Sequence, residues 1–240
     1  MNRLLKVFKY INHYRWFLSD YFTFRKKIAD DRFVLSFSNR IPTLWEKTAN
    51  TWFDAHYIYH TAWAVSKVIQ INPSKHIDIS STLYFCTNLS ATLPVEFYDY
   101  RPAQLNLPNL ISKKGDLTNL PFANDSVESI SCMHTVEHVG LGRYGDPIDP
   151  QGDLVAINEL KRVTSKGGAL LFVAPVGKPK ICFNAHRIYA YQQIIDCFEG
   201  FSLQESALVT DNNDFLINPS VQEFDSQAYG CGCFWFKKNH

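Results

Sequence analysis

The stretch Gly115 to Pro150, GDLTNLPFANDSVESISCMHTVEHVGLGRYGDPIDP, carries the pattern that decides the fold. Within it, VESISCM at 127–133 sets Val127, Ile130 and Met133 among small residues, and Asn124-Asp125-Ser126 supplies a turn just before. That combination predicts a short, buried parallel strand. Directly behind it come His134, Glu137 and His138, then Gly140, Gly142, Arg143, Gly145 and Asp146. Groups that titrate or grip anions thus follow the carboxyl end of a strand, which is where open α/β sheets hold their ligands.

Upstream, KHIDIS at 75–80 reads as the first core strand, with Asp78 near its carboxyl end. A crossover helix is expected in STLYFCTNLSATL at 81–93, then a second strand from Val95 to Tyr98 ending at Asp99. A short third strand at Leu110–Ile111 closes at Gly115-Asp116. Downstream, Asp149-Pro150 has the form of an N-cap followed by proline at the first helical position. Leu154, Ile157, Leu160 and Val163 supply an inward stripe, and Gly167-Gly168 is the expected stop. ALLFVA at 169–174 is an uninterrupted apolar run, hence a strand covered on both faces. A helix over His186–Phe198, a strand over Phe201–Val209 and a last strand over Cys231–Phe236 follow, with a polar hairpin or loop at 211–227. This alternation predicts a doubly wound α/β fold whose right-handed crossovers bring Asp78, Asp99, Asp116 and His134 to one sheet edge.

At 240 residues and 46% hydrophobic content the chain can bury a real core, and a net charge of +1 excludes nucleic acid as the main partner. The six cysteines are scattered, which fits reduced thiols in a cytoplasmic protein. Cys231-Gly232-Cys233 has half the form of a metal site, but no second Cys or His pair at suitable spacing completes it. Of the three acids Asp146, Asp149 and Asp153, capping accounts for Asp149 and the helix dipole for Asp153, so no metal is expected. No run reaches the ~18 apolar residues a membrane span needs.

The N-terminus is interrupted by Lys6 and Lys9 and has no small-residue cleavage site, so it does not read as a secretion signal. Leu4, Phe8, Ile11, Tyr14, Leu18 and Tyr21 recur at helical spacing beside Arg3, Lys6, Lys9, Arg15 and Arg25-Lys26-Lys27. Two readings stay open: peripheral contact of residues 1–27 with an anionic membrane, or packing on the domain or a partner subunit. Thr51–Ile71 is a further helix ended by Asn72-Pro73, so a helical extension over 1–72 is expected ahead of a domain over 73–240.

From roughly Lys75 to Lys237 the order of elements and the four edge residues resemble the class I S-adenosylmethionine-dependent methyltransferases. The resemblance implies a Rossmann-like seven-stranded sheet, six strands parallel and the last antiparallel. It implies that Asp116 and Leu117 hold the adenine and that Asp99 accepts both ribose hydroxyls, two adjacent donors meeting one bidentate acceptor. Asp78, Ser80 and His134 complete the implied cofactor set. A closer similarity is to a branch of that superfamily catalogued as a domain of unknown function and linked to surface-glycan synthesis. Its two signature segments match HVGLGRYGDPIDPQGD at 138–153 and FNAHRIY at 183–189.

One departure concerns the first turn, which is glycine-rich in the superfamily and reads HIDISSTLYF here. Ser80 and Ser81 are small hydrogen-bonding residues, yet each Cβ narrows the room for the methionine part of the cofactor. On the acceptor side His138 is the expected general base, Arg143 the grip on an anionic group, and His186 a third member reaching the same cavity. The reading is methyl transfer to an oxygen or nitrogen of a small or glycan-like acceptor. The alternative is a degenerate methyltransferase-fold protein with a binding role.

Overall fold

Four parallel strands carry the centre of the molecule: β1 His76–Ile79, β2 Val95–Asp99, β3 Leu110–Lys114 and β4 Val127–Met133. The computed structural model describes residues 3–240, with side chains from residue 5. β5 spans Thr164–Val176, β6 Lys180–Cys182, β7 His186–Ile188, β8 Phe201–Val209, β9 Phe215–Ile217 and β10 Gly230–Lys238. The main sheet has the order β3-β2-β1-β4-β5-β10-β8-β9, with β6 and β7 paired apart from it. β10 runs antiparallel to both β5 and β8 and so opposes the six strands β1–β5 and β8, as does β9, antiparallel to β8. The expected seven strands are all present, and β9 extends the edge as an eighth through a hairpin with β8.

Alternation along these strands builds two cores. Ile77, Ile79, Ile130, Cys132, Leu170 and Phe172 face one side and pack with α4 (Gly152–Val163), α5 (Tyr191–Cys197) and α6 (Val221–Asp225). Met133, Leu171, Val173, Cys231 and Cys233 face the other and pack with α2 (Ala55–Ile71) and α3 (Leu83–Leu89). Residues two apart share a face, which is why near-continuous apolar strands serve both layers.

α2 is clipped to β8 by Trp63 Nε1 donating to Glu205 at 2.8 Å and Lys67 pairing with the same carboxylate at 2.7 Å. The chain accordingly divides into compact units 1–53 and 54–240, and α2 belongs to the second. The expected division near residue 72 falls instead at Phe53/Asp54, because Trp63, Ala64 and Val68 bury against the sheet.

In the first unit α1 spans Arg3–Lys27, with His13 Nδ1 bonded to the Leu44 carbonyl at 2.6 Å and Lys47 paired with Asp20 at 3.3 Å. Between Asp30 and Pro42 the chain forms one 3-10 turn, Phe37–Asn39. Met1, Asn2 and the side chains of Arg3 and Leu4, part of the segment expected to touch a membrane, lie outside the described residues. Among the described residues no helix is long and apolar enough to cross a membrane.

Three local expectations are corrected. α4 begins at Gly152, not after Asp149; Asp149 and Pro150 lie in the turn before it, where the Asp149 carboxylate accepts the Gln151 N–H at 2.9 Å. Gly167-Gly168 does not stop α4. The chain passes at Thr164 from helix straight into β5, and the pair sits in an irregularity where the register jumps from Val127 opposite Thr164 to Ser129 opposite Ala169. Finally, His186–Ile188 is a strand, and α5 begins at Tyr191, because pairing with Lys180–Cys182 outweighs helix propensity there.

Candidate functional site

The strand order reverses between β1 and β4, and the carboxyl ends of β1 to β4 open onto a cavity of about 450 Å³. Ser80, Asp99, Asp116, Leu117, His134 and His138 all line it. So do Tyr100, Arg101, Thr118, Thr135 and Tyr144, which sequence reasoning did not single out. Two of the lining residues are non-glycines in the left-handed region, Ser80 at φ 55° and His134 at φ 54°, each at the end of its strand. Such conformations cost ~1–3 kcal/mol each and persist where the surrounding structure over-determines them. Here the Ser80 N–H donates to the Tyr98 carbonyl at 2.8 Å, and the His134 N–H to Val173 at 2.9 Å.

Asp78 does not line the cavity. It is fully buried, accepting the Ser81 N–H at 3.0 Å and the Ser131 hydroxyl, and so pins the glycine-free turn from below. Ser131 also bonds His76 Nε2 at 2.9 Å, and His76 Nδ1 meets Ser129 at 2.8 Å. Burial pushes Asp78 up to about 6 despite the hydroxyl and amide donors, and pushes His76 down to about 3. Asp99 accepts the Arg101 N–H at 2.6 Å, and Asp116 accepts both the N–H and hydroxyl of Thr118 at 2.8 and 2.6 Å. Each carboxylate is thereby oriented while keeping acceptor capacity to spare.

The loop after β4 is held by two charged side chains, the partly exposed Asp146 and the buried Arg187. Asp146 Oδ2 accepts the N–H groups of Gly140 and Gly142 at 2.8 and 3.3 Å, and Oδ1 that of Tyr144 at 3.1 Å. Burial alone raises a carboxyl; here those backbone donors outweigh it and hold Asp146 below its ordinary value. Gly140, at φ 79°, lies so close to Asp149 that a Cβ would sit 2.0 Å from its carbonyl oxygen. Arg187 donates to the carbonyls of Val139 at 2.6 Å and Pro150 at 3.2 Å, beside Asp153 at 3.6 Å. The two signature segments are thus one structure: the strand of the second clamps the glycine loop of the first. Arg187 was legible only as His186's neighbour, since its burial depends on the fold.

Of the three expected acceptor-side residues only His138 reaches the cavity. Its Nδ1 donates to the Ala185 carbonyl at 2.6 Å, and Nε2 lies 3.8 Å from Glu137. Burial lowers its pKa against the opposing pull of Glu137. Arg143 is drawn outward, donating to the same Ala185 carbonyl at 3.0 Å, with its guanidinium 5.2 Å from the Tyr144 ring. His186 packs on Tyr229 with ring centroids 4.8 Å apart. Neither lines the cavity, because the β6–β7 hairpin turns His186 away and offers Arg143 a carbonyl. Arg101, stacked over Tyr144 at 4.6 Å, is the guanidinium that does line it.

Behind His134 lies a second polar cluster. Its Nδ1 bonds Glu137 Oε1 at 2.9 Å, its Nε2 faces Cys231 Sγ at 3.3 Å, and the rings of His56, Tyr57 and His60 surround it at 5.7, 5.5 and 5.1 Å. Burial pushes Glu137 up to about 7, against the pull of His138, and lowers His134 to about 4, so this histidine stays neutral near pH 7.

Residues 117–227 match the family described as "Caenorhabditis protein of unknown function, DUF268". No curated protein matches the sequence. Among solved structures, the N-methyltransferase NodS from Bradyrhizobium japonicum WM9, in complex with S-adenosyl-L-homocysteine, aligns at TM-score 0.55 and 13% identity over 92% of this chain and 98% of its own. The YcgJ protein from Bacillus subtilis aligns at 0.55 and 11% over 76% and 99%. The [4+2]-cyclase SpnF aligns at 0.56 and 12% over 81% and 85%. Identities this low speak to the fold, and one fold hosts several chemistries. Residues 117–227 are therefore similar to the DUF268 family, and they are borne on an α/β fold of the Rossmann-like methyltransferase type.

Proposed function

We propose that the protein is an S-adenosylmethionine-dependent methyltransferase that acts on an oxygen or nitrogen of a small or glycan-like acceptor. The observation that carries this reading is the cavity at the strand ends, where Asp99, Asp116 and Leu117 stand on adjacent turns. The residues present fit the nucleoside half of the cofactor. Asp99 supplies paired acceptors for the two ribose hydroxyls, while Asp116 and the apolar Leu117 hold the adenine edge and face. On the methionine side Ser80 occupies a left-handed position at which glycine is usual, so its side chain borders the cofactor's tail.

When bound, the cofactor supplies an electrophilic methyl group on a sulfonium. The chain's own contribution is then to orient the acceptor and remove its proton. His138 donates through Nδ1 to Ala185, which leaves Nε2 as the basic nitrogen, and Glu137 nearby favours the charge that Nε2 gains on taking a proton. Tyr144 and Arg101 line the same cavity and offer a ring face and a planar fork, groups that suit a hydroxylated or anionic acceptor.

A second reading, a methyltransferase-fold protein with a binding role, draws support from the glycine-free first turn. Titration calorimetry with S-adenosylmethionine and S-adenosylhomocysteine decides between them. Binding of both, weakened in Asp99→Ala, is the expected result; no heat with either ligand overturns the methyl-transfer reading.

A further inference from the structure

We infer that His56, His134 and Cys231 form a zinc site in the wall of the cavity. Their ligating atoms, one from each residue, lie within 4.8 Å of one another, although the residues come from α2, the end of β4 and β10. Two imidazole nitrogens and one thiolate are the donor set that suits zinc over magnesium or calcium, which take oxygen. A tetrahedral zinc at its usual distances from nitrogen and sulfur holds those two atoms about 3.5 Å apart. His134 Nε2 and Cys231 Sγ already stand at 3.3 Å.

The surroundings of the cluster are those of a metal centre. His134 Nδ1–H donates to Glu137 at 2.9 Å, which fixes the tautomer with its Nε2 lone pair toward Cys231; a carboxylate behind a ligating histidine is the common second layer of zinc sites. The His56 ring stacks on that of Tyr229 with centroids 5.1 Å apart, which holds it beside the other two donors. Around His134, two buried atoms, Glu137 Oε2 and His60 Nε2, have no hydrogen-bond partner among the described residues, whereas buried polar groups are satisfied as a rule. Zinc binding displaces the Cys231 thiol proton to solvent and leaves a thiolate–metal bond. Three protein donors leave a tetrahedral ion one further position, open to water or to a ligand heteroatom. Because His134 also lines the cavity, the ion shares a ligand with the wall of the proposed acceptor site, but zinc binding itself does not depend on methyl transfer.

The test uses the full chain, stripped with a chelator and titrated with Zn²⁺ against a chromophoric competitor, with bound metal counted by mass spectrometry. One zinc per chain is expected, together with a thiolate-to-metal charge-transfer band when Co²⁺ is substituted. Glu137→Gln should weaken zinc by ~10–100-fold, and His56→Ala and Cys231→Ser by more, with the cobalt band lost in Cys231→Ser. Cys231 is core and its variant can fail to fold; His56, half-buried at the first turn of α2, then carries the test alone. No zinc bound to the wild-type chain, or zinc bound with equal affinity by wild type and His56→Ala, overturns the inference.

Discussion

Replacing Asp78 by Asn should remove a pH-dependent penalty that the wild-type fold carries. Asp78 is fully buried on β1, and burial raises its carboxyl from 3.8 to about 6 even though Ser81 and Ser131 donate to it. A raised acid pKa means that the folded state holds the proton more tightly than the unfolded chain does. Between pH 4 and pH 6 the folded protein is protonated at this site and the unfolded chain is not, so stability falls as pH rises and levels off above the folded value. Two pKa units at 1.36 kcal/mol each give a loss of about 3 kcal/mol across that window. Asn keeps the acceptor for the Ser81 N–H and cannot ionise. The assay is urea unfolding of both proteins at pH 4.5 and pH 8. Any fixed offset from the amide's own hydrogen bonds cancels in the double difference, as do all other titrating groups. The variant should gain roughly 2–3 kcal/mol on wild type between the two pH values. A double difference below about 0.5 kcal/mol would show that Asp78 is not the buried acid described, and with it the account of how the glycine-free turn is pinned.

Asp99→Ala should weaken S-adenosylhomocysteine by about five- to 150-fold, since it strands two hydroxyl donors worth ~1–3 kcal/mol; unchanged calorimetric affinity refutes the ribose assignment. Gly140→Ala should destabilise the chain by ~2–5 kcal/mol in denaturant, because the new Cβ meets the Asp149 carbonyl and the residue is left-handed at φ 79°. His138→Ala should lower turnover by ~10²–10⁴ with cofactor affinity unchanged, and the acid limb of the wild-type rate profile should lie below the ordinary imidazole value of ~6.5, because burial lowers this histidine. If residues 1–27 contact anionic membranes, the full chain should pellet with acidic liposomes more than a chain starting at Ala29, and the difference should fade as salt rises; equal pelleting removes the membrane contact.

Within β5 the run ALLFVA was legible in the sequence as an apolar segment buried on both faces, and β1, β2, β4, β8 and β10 were legible as short segments of apolar and small residues in a strand–helix alternation. The ligand edge followed from topology, which is why Asp99, Asp116, Leu117, Ser80, His134 and His138 do meet in one cavity. Whatever depended on side-chain direction was not legible. Arg143 and His186 share the right edge, yet a carbonyl and a tyrosine ring take them out of the cavity, and no spacing rule encodes that. Arg187 and Asp146 gained their roles only when the glycine loop closed and backbone groups far apart in sequence needed partners. Cys231 lacked a metal partner in sequence because its neighbours are 175 and 97 positions away, at His56 and His134. Sequence determines which segments must be buried and in what periodicity. Only the folded chain decides which polar atoms, brought together by that burial, are left facing one another.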